Sequence, residues 1–146
     1  MNGLTGFDLA SIQHRDTSVV EVRHPVTAKP LGVQVEVASA DSSRGREAER
    51  ELRDQAMARY QLNRGAALTA KEVESEALEL LVRRTVSWSG VLEGGKPLPH
   101  TPDNARRLYI ALPWLRRQVD EACADRARFF EDSVSSSSAS LATNSD

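Results

Sequence analysis

Val20-Glu21-Val22-Arg23 and Val33-Gln34-Val35-Glu36-Val37 alternate apolar with polar residues. A period of two with β-branched residues is the mark of a strand that buries one face. Between the two runs stand His24-Pro25 and Lys29-Pro30-Leu31-Gly32. Proline lacks a ladder donor and glycine allows unusual backbone angles, so this stretch reads as a long hairpin loop. The hairpin, residues 18–38, should lay its valine face on helices and its charged face in water. Two strands alone are marginal in water and need that cover.

The cover is expected from the rest of the chain. Asp41 to Ser43 offer N-caps for a helix over about 41–62, with Ala48, Leu52, Ala56 and Tyr60 as a thin apolar stripe. Asn63-Arg64-Gly65 ends it. Thr69-Ala70-Lys71-Glu72 fits a capping box and opens a second helix over 70–87. Its inner face is expected at Val73, Ala77, Leu80 and Leu81, widened by Leu78 and Val82. Trp88-Ser89-Gly90-Val91 breaks the period, and Gly94 to Pro99 form a turn-rich loop. Thr101-Pro102 starts a short helix over 102–112, and Pro113 a last one over 113–130. Residues 1–17 show no period and read as a loose arm. Residues 131–146 are Ser-rich and too poor in apolar side chains to offset their ordering entropy, so they read as disordered. The fold class is α+β, mainly helical: one domain over 18–130 with an N-terminal β-hairpin packed on about four helices.

Composition bounds the function. The chain has 146 residues, 40% hydrophobic and 27% charged, with a net charge of −2. That balance argues against bulk electrostatic binding to nucleic acid. One cysteine excludes a disulfide framework within the chain and a multi-cysteine metal site. No apolar run has the roughly 20 residues of a membrane-spanning helix. The start lacks the basic and apolar pattern of a signal peptide, so the expected compartment is the cytoplasm.

Motifs for chemistry are weak. Gly90-Val91-Leu92-Glu93-Gly94-Gly95-Lys96 has phosphate-loop spacing, but Pro97 stands where a magnesium-binding hydroxyl belongs, so it reads as a turn. His14, His24 and His100 share no spacing with Cys123, and Cys123 falls on an apolar helix side. The carboxylates of the middle helices alternate with arginine as solvated faces do. No catalytic residue, cofactor or metal is assigned. Trp88 and Trp114, beside glycine and proline, are either core or interface anchors. With Leu52, Met57 and Tyr60 they form the candidate partner-binding set.

A longer string has a different origin. It runs Leu78-Glu79-Leu80-Leu81, Trp88-Ser89-Gly90-Val91, Lys96-Pro97-Leu98-Pro99, and Asp103-Asn104-Ala105-Arg106-Arg107-Leu108-Tyr109. It ends in Pro113-Trp114, Gln118-Val119 and Arg128-Phe129-Phe130. From about Glu72 to Phe130 this order resembles the tail assembly chaperones of long-tailed bacteriophages and prophages. The loop with His24-Pro25 and Pro30-Leu31-Gly32 resembles the start of such proteins.

The resemblance implies a non-enzymatic protein that binds the tape measure protein and helps recruit tail tube subunits in the host cytoplasm. It implies absence from the mature virion, and a longer form made by ribosomal frameshift near the end. It brings no catalytic, metal or cofactor residues, and it calls for no membrane and no nucleic acid. Two other readings stay open: a structural minor tail or head–tail connection protein, and a small helical DNA-binding regulator.

Overall fold

The computed structural model describes residue 6 and residues 8–130. The Ser-rich stretch 131–146, expected to be disordered, and most of the first seven residues lie outside the described residues.

The fold is α+β, with four helices and a three-stranded antiparallel sheet. The two valine runs form β1 (Thr17–Arg23) and β2 (Pro30–Ala38). Val20 faces Val35, and Val22 faces Val33. Val20, Val22, Val35 and Val37 are buried, while Val19, Glu21 and Gln34 on the other face meet water. The expected alternation holds because only one sheet face is covered.

The hairpin is not alone. A third strand, β3 (Thr85–Ser89), pairs with β2 and makes it the central strand. Residues 85–87 were expected at the end of a helix. Instead α2 (Ala70–Arg84) stops at Arg84. Thr85, Val86 and Trp88 are β-branched or aromatic, and the unpaired edge of β2 gives their backbone a ladder. A register shift between Glu36 and Val37 accommodates the entry from the helix.

α1 (Ser43–Leu62) starts after Ser42, whose hydroxyl accepts from the Gly45 amide at 3.1 Å. Thr69 and Thr101 cap α2 and α3 (Pro102–Ala111) in the same way, accepting from Glu72 and Asn104. α4 opens on Pro113 and ends at Ala124, not near 130. The Asp125 carboxylate accepts from the Ala127 amide and opens a 3-10 turn, Arg126–Phe129. That turn places Phe129 in the core at 1% exposure. β4 (Leu92–Glu93) and β5 (Lys96–Pro97) form a small hairpin around Gly94-Gly95, both at positive φ.

α4 packs on β1 and β2, α3 on α2 and α4, and α1 on α2. The core gathers the four valines, Leu81, Val82, Tyr109, Leu115, Val119 and Phe129. The face of α2 differs from expectation. Leu78, Leu81 and Val82 point to the core, while Val73 and Ala77 are exposed. They lie on the first turns of α2, ahead of the last two turns that reach the core and run into β3.

The edge of β1 is sealed by side chains. The Gln118 amide accepts from the Arg23 N–H and donates to the Arg23 carbonyl, both at 2.8 Å. Arg128 donates to the Val19 carbonyl at 3.2 Å. Such cover prevents a second chain from adding to the edge. The arm expected to be loose is anchored near its end. Arg15 N–H donates to the Phe129 carbonyl, Ser39 N–H to that of Asp16, and the His14 ring lies 5.0 Å from that of Phe130.

Candidate partner-binding surfaces

α1 is fixed at its start and bare at its end. Gly45 passes so close to the turn that follows β2 that an added Cβ would lie 2.0 Å from the Ser39 carbonyl oxygen. Arg44 donates from Nε to the Arg83 carbonyl at 3.0 Å and from Nη2 to the Thr85 carbonyl at 3.1 Å. A cation on the last carbonyls of α2 suits its dipole. Further along, Arg83 pairs with Glu51 at 2.7 Å, and Arg59 pairs with Glu76. Leu52 and Ala56 are half-buried.

Beyond that the cover ends. Met57 is 55% exposed, Tyr60 51% and Leu62 81%. Leu68 and Val73 across the α1–α2 turn are exposed too. Single exposed apolar residues are ordinary, but a group of five at one tip is a marked surface.

The other two candidates belong elsewhere. Trp88 on β3 donates its indole N–H to the Leu98 carbonyl at 2.8 Å, and its ring meets the His100 ring edge-on at 4.9 Å. Trp114 opens α4, and both tryptophans are half-buried against the core. Of the five residues singled out in the sequence, Met57 and Tyr60 form an exposed pair. Leu52 is half-buried on α1, and the tryptophans pack against the core.

Two concavities went unread in the sequence. A groove of about 580 Å³ lies between the β4–β5 hairpin and α3, lined by Leu92, Leu98, Leu108, Ile110 and Leu112. Arg107 and Glu93 pair at 3.1 Å on its rim. Its only sequence signal is Ile110, an apolar residue outside the inner stripe of α3. A second cleft, about 350 Å³, lies among Arg44, Glu47, Glu51, Arg83, His100 and Arg106. His100 Nε2 is buried there with no partner among the described residues. Burial lowers the His100 pKa, and Arg44 adds to that, against the opposing pull of the Thr85 backbone.

No family model, curated protein or solved structure matches this chain.

Cys123 is a poor nucleophile here. Burial pushes its thiol up to about 11, so it stays protonated at neutral pH. Among the described residues no group of three or more His, Cys, Asp or Glu could hold a metal ion. Among them, too, no helix is long and apolar enough to cross a membrane. The arrangement offers contact surface: an apolar helical tip and an apolar groove, each with charged neighbours.

Proposed function

We propose that this protein binds a helical segment of a protein partner and acts as a tail assembly chaperone of a long-tailed phage or prophage. In that role it holds the tape measure protein soluble in the host cytoplasm and helps bring tail tube subunits to it. No bond is made or broken. The single observation that carries the binding reading is the bare tip of the α1–α2 hairpin, where Met57, Tyr60 and Leu62 face water. Helical partners are held by apolar anchors at helical spacing inside a polar rim, and α1 offers that pattern. The choice of a tape measure protein as partner comes from the resemblance of residues 72–130 to the chaperone family.

The test is co-expression with the long helical tape measure product that the chaperone reading expects to be encoded just downstream. Soluble recovery of that product only with this chain, and co-elution with it, is the expected result. Indifference of that product to the chain overturns the chaperone reading. Met57→Asp is the variant to compare, because Met57 is exposed whereas Leu52 is half-buried.

A further inference from the structure

Arg46, Arg50, Arg53, Met57 and Tyr60 recur along α1 at intervals of four, three, four and three residues. At 3.6 residues per turn that spacing sets all five on one stripe, about 21 Å long. The stripe is separate from the face of Gly45, Ala48, Leu52 and Ala56 that meets the rest of the fold. All five side chains are exposed.

Two of the three charges of this stripe have no acidic partner within reach among the described residues, and the third has an exposed one. Several arginines outside it are paired: Arg59 with Glu76, Arg83 with Glu51, Arg106 with Glu79 and Asp103, Arg126 with Asp41. Arg46 and Arg50 have no ion-pair partner among the described residues. Arg53 has Glu49 at 3.7 Å, with the two side chains 68% and 56% exposed. An exposed pair of that kind contributes little. In a chain of net charge −2, a row of three exposed guanidinium groups, one of them only weakly paired, leading to two apolar side chains is a complementary surface for an acidic, amphipathic helix.

We infer that this stripe of α1 docks an acidic amphipathic helix of a protein partner. Arg46, Arg50 and Arg53 take its carboxylates, and Met57 and Tyr60 take its apolar seam. A helical occupant is specified by the spacing, since a helix repeats its contact residues every 3.5 positions in such pairings. An arginine fork matches a carboxylate with two parallel hydrogen bonds, and tyrosine and arginine are the residues most often found at binding hot spots. Nucleic acid fits less well, because the Met57 side chain and the Tyr60 ring continue the stripe as an apolar seam that a phosphate backbone does not match. The inference deepens the partner-binding reading above and rests on it.

The experiment uses the full chain and three labelled probes. One is a helical peptide of about four heptads with leucine in the seam and glutamate flanking it. The second has lysine in place of glutamate, and the third is a short DNA duplex. The acidic peptide should bind, weaken with added salt, and weaken at least about tenfold in Arg50→Glu/Arg53→Glu. Met57→Ala should weaken it too, and both variants should keep the wild-type Tm. Equal binding of the acidic and basic peptides, indifference to Arg50→Glu/Arg53→Glu, or tighter binding of DNA overturns the inference. Peptide binding without rescue in co-expression overturns the phage reading alone. Rescue with charge-indifferent peptide binding overturns the acidic seam alone.

Discussion

The Tyr109 hydroxyl lies 2.7 Å from Thr85 Oγ1, and Thr85 donates onward to the Leu81 carbonyl at 2.8 Å. This buried relay ties α3 to the joint where α2 becomes β3. Tyr109→Phe removes one hydrogen bond and should lower stability by about 1 kcal/mol. Thr85→Val also strands the Tyr109 hydroxyl and should cost about 2 kcal/mol. Urea midpoints with an unchanged m value are the measurement. Equal midpoints for Thr85→Val and wild type would show that the relay is energetically idle.

Arg84 is a second strut at the same joint, 9% exposed. It donates from Nε to the Ala38 carbonyl at 2.9 Å and from Nη2 to the Cys123 carbonyl at 3.1 Å. It so links β2 to the end of α4, where a cation suits the helix dipole. Arg84→Met should cost about 3 kcal/mol, because two buried carbonyls lose their donor. Arg84→Lys should recover only part of this, since an ammonium lacks the planar fork. Thermal unfolding of the three proteins ranks them.

Gly45→Ala tests how tightly α1 is held. Alanine favours a helix by about 1 kcal/mol over glycine, so propensity alone predicts a gain. The Cβ would meet the Ser39 carbonyl at 2.0 Å, so the expected result is a loss of about 2 kcal/mol or more. Gly32→Ala is the contrast. It has positive φ (78°) but no atom within 4 Å of an added Cβ, so only backbone strain of about 1 kcal/mol applies. Chemical denaturation of both variants decides between crowding and propensity.

Stability should fall at both ends of the pH scale, through different groups. Burial raises the Cys123 thiol from 9.0 to about 11, against the pull of Arg84. A raised folded pKa stabilises fully below the unfolded value, and the benefit is lost as pH rises through the folded one. Stability should thus decline between pH 9.0 and about 11, and Cys123→Ala should flatten part of that decline. Burial raises Tyr109 as well, adding to the loss above its ordinary value of 10.0. His100 is depressed below 6.5, so its contribution is present above that value and lost as pH falls. His100→Gln should flatten the acid limb. Denaturation midpoints across pH, for wild type and both variants, check each sign.

Local signals were legible where local physics decides. Ser42, Thr69 and Thr101 cap their helices, and Asn63-Arg64-Gly65 ends α1 with two successive residues at positive φ. The valine alternation of β1 and β2 survives because one face of the sheet is buried and the other is wet. Of the candidate surface, Met57 and Tyr60 were legible as apolar side chains at the end of a stripe too thin to bury a whole helix. The groove at Leu92 and Ile110 was not, since its two walls come from different elements and meet only through packing.

The sequence by itself determined the caps, the two valine strands and the weak amphipathicity of α1, because each depends on neighbours within a few residues. Tertiary structure alone decided that Thr85–Ser89 would be a strand, since its ladder partner is β2, some fifty residues away in the chain. It also left Val73 and Ala77 exposed while Leu78, Leu81 and Val82, expected on the same inner face, joined the core, and it buried Arg84 between two carbonyls. A helical period marks which residues share a face, but the elements packed around the helix determine which face is covered.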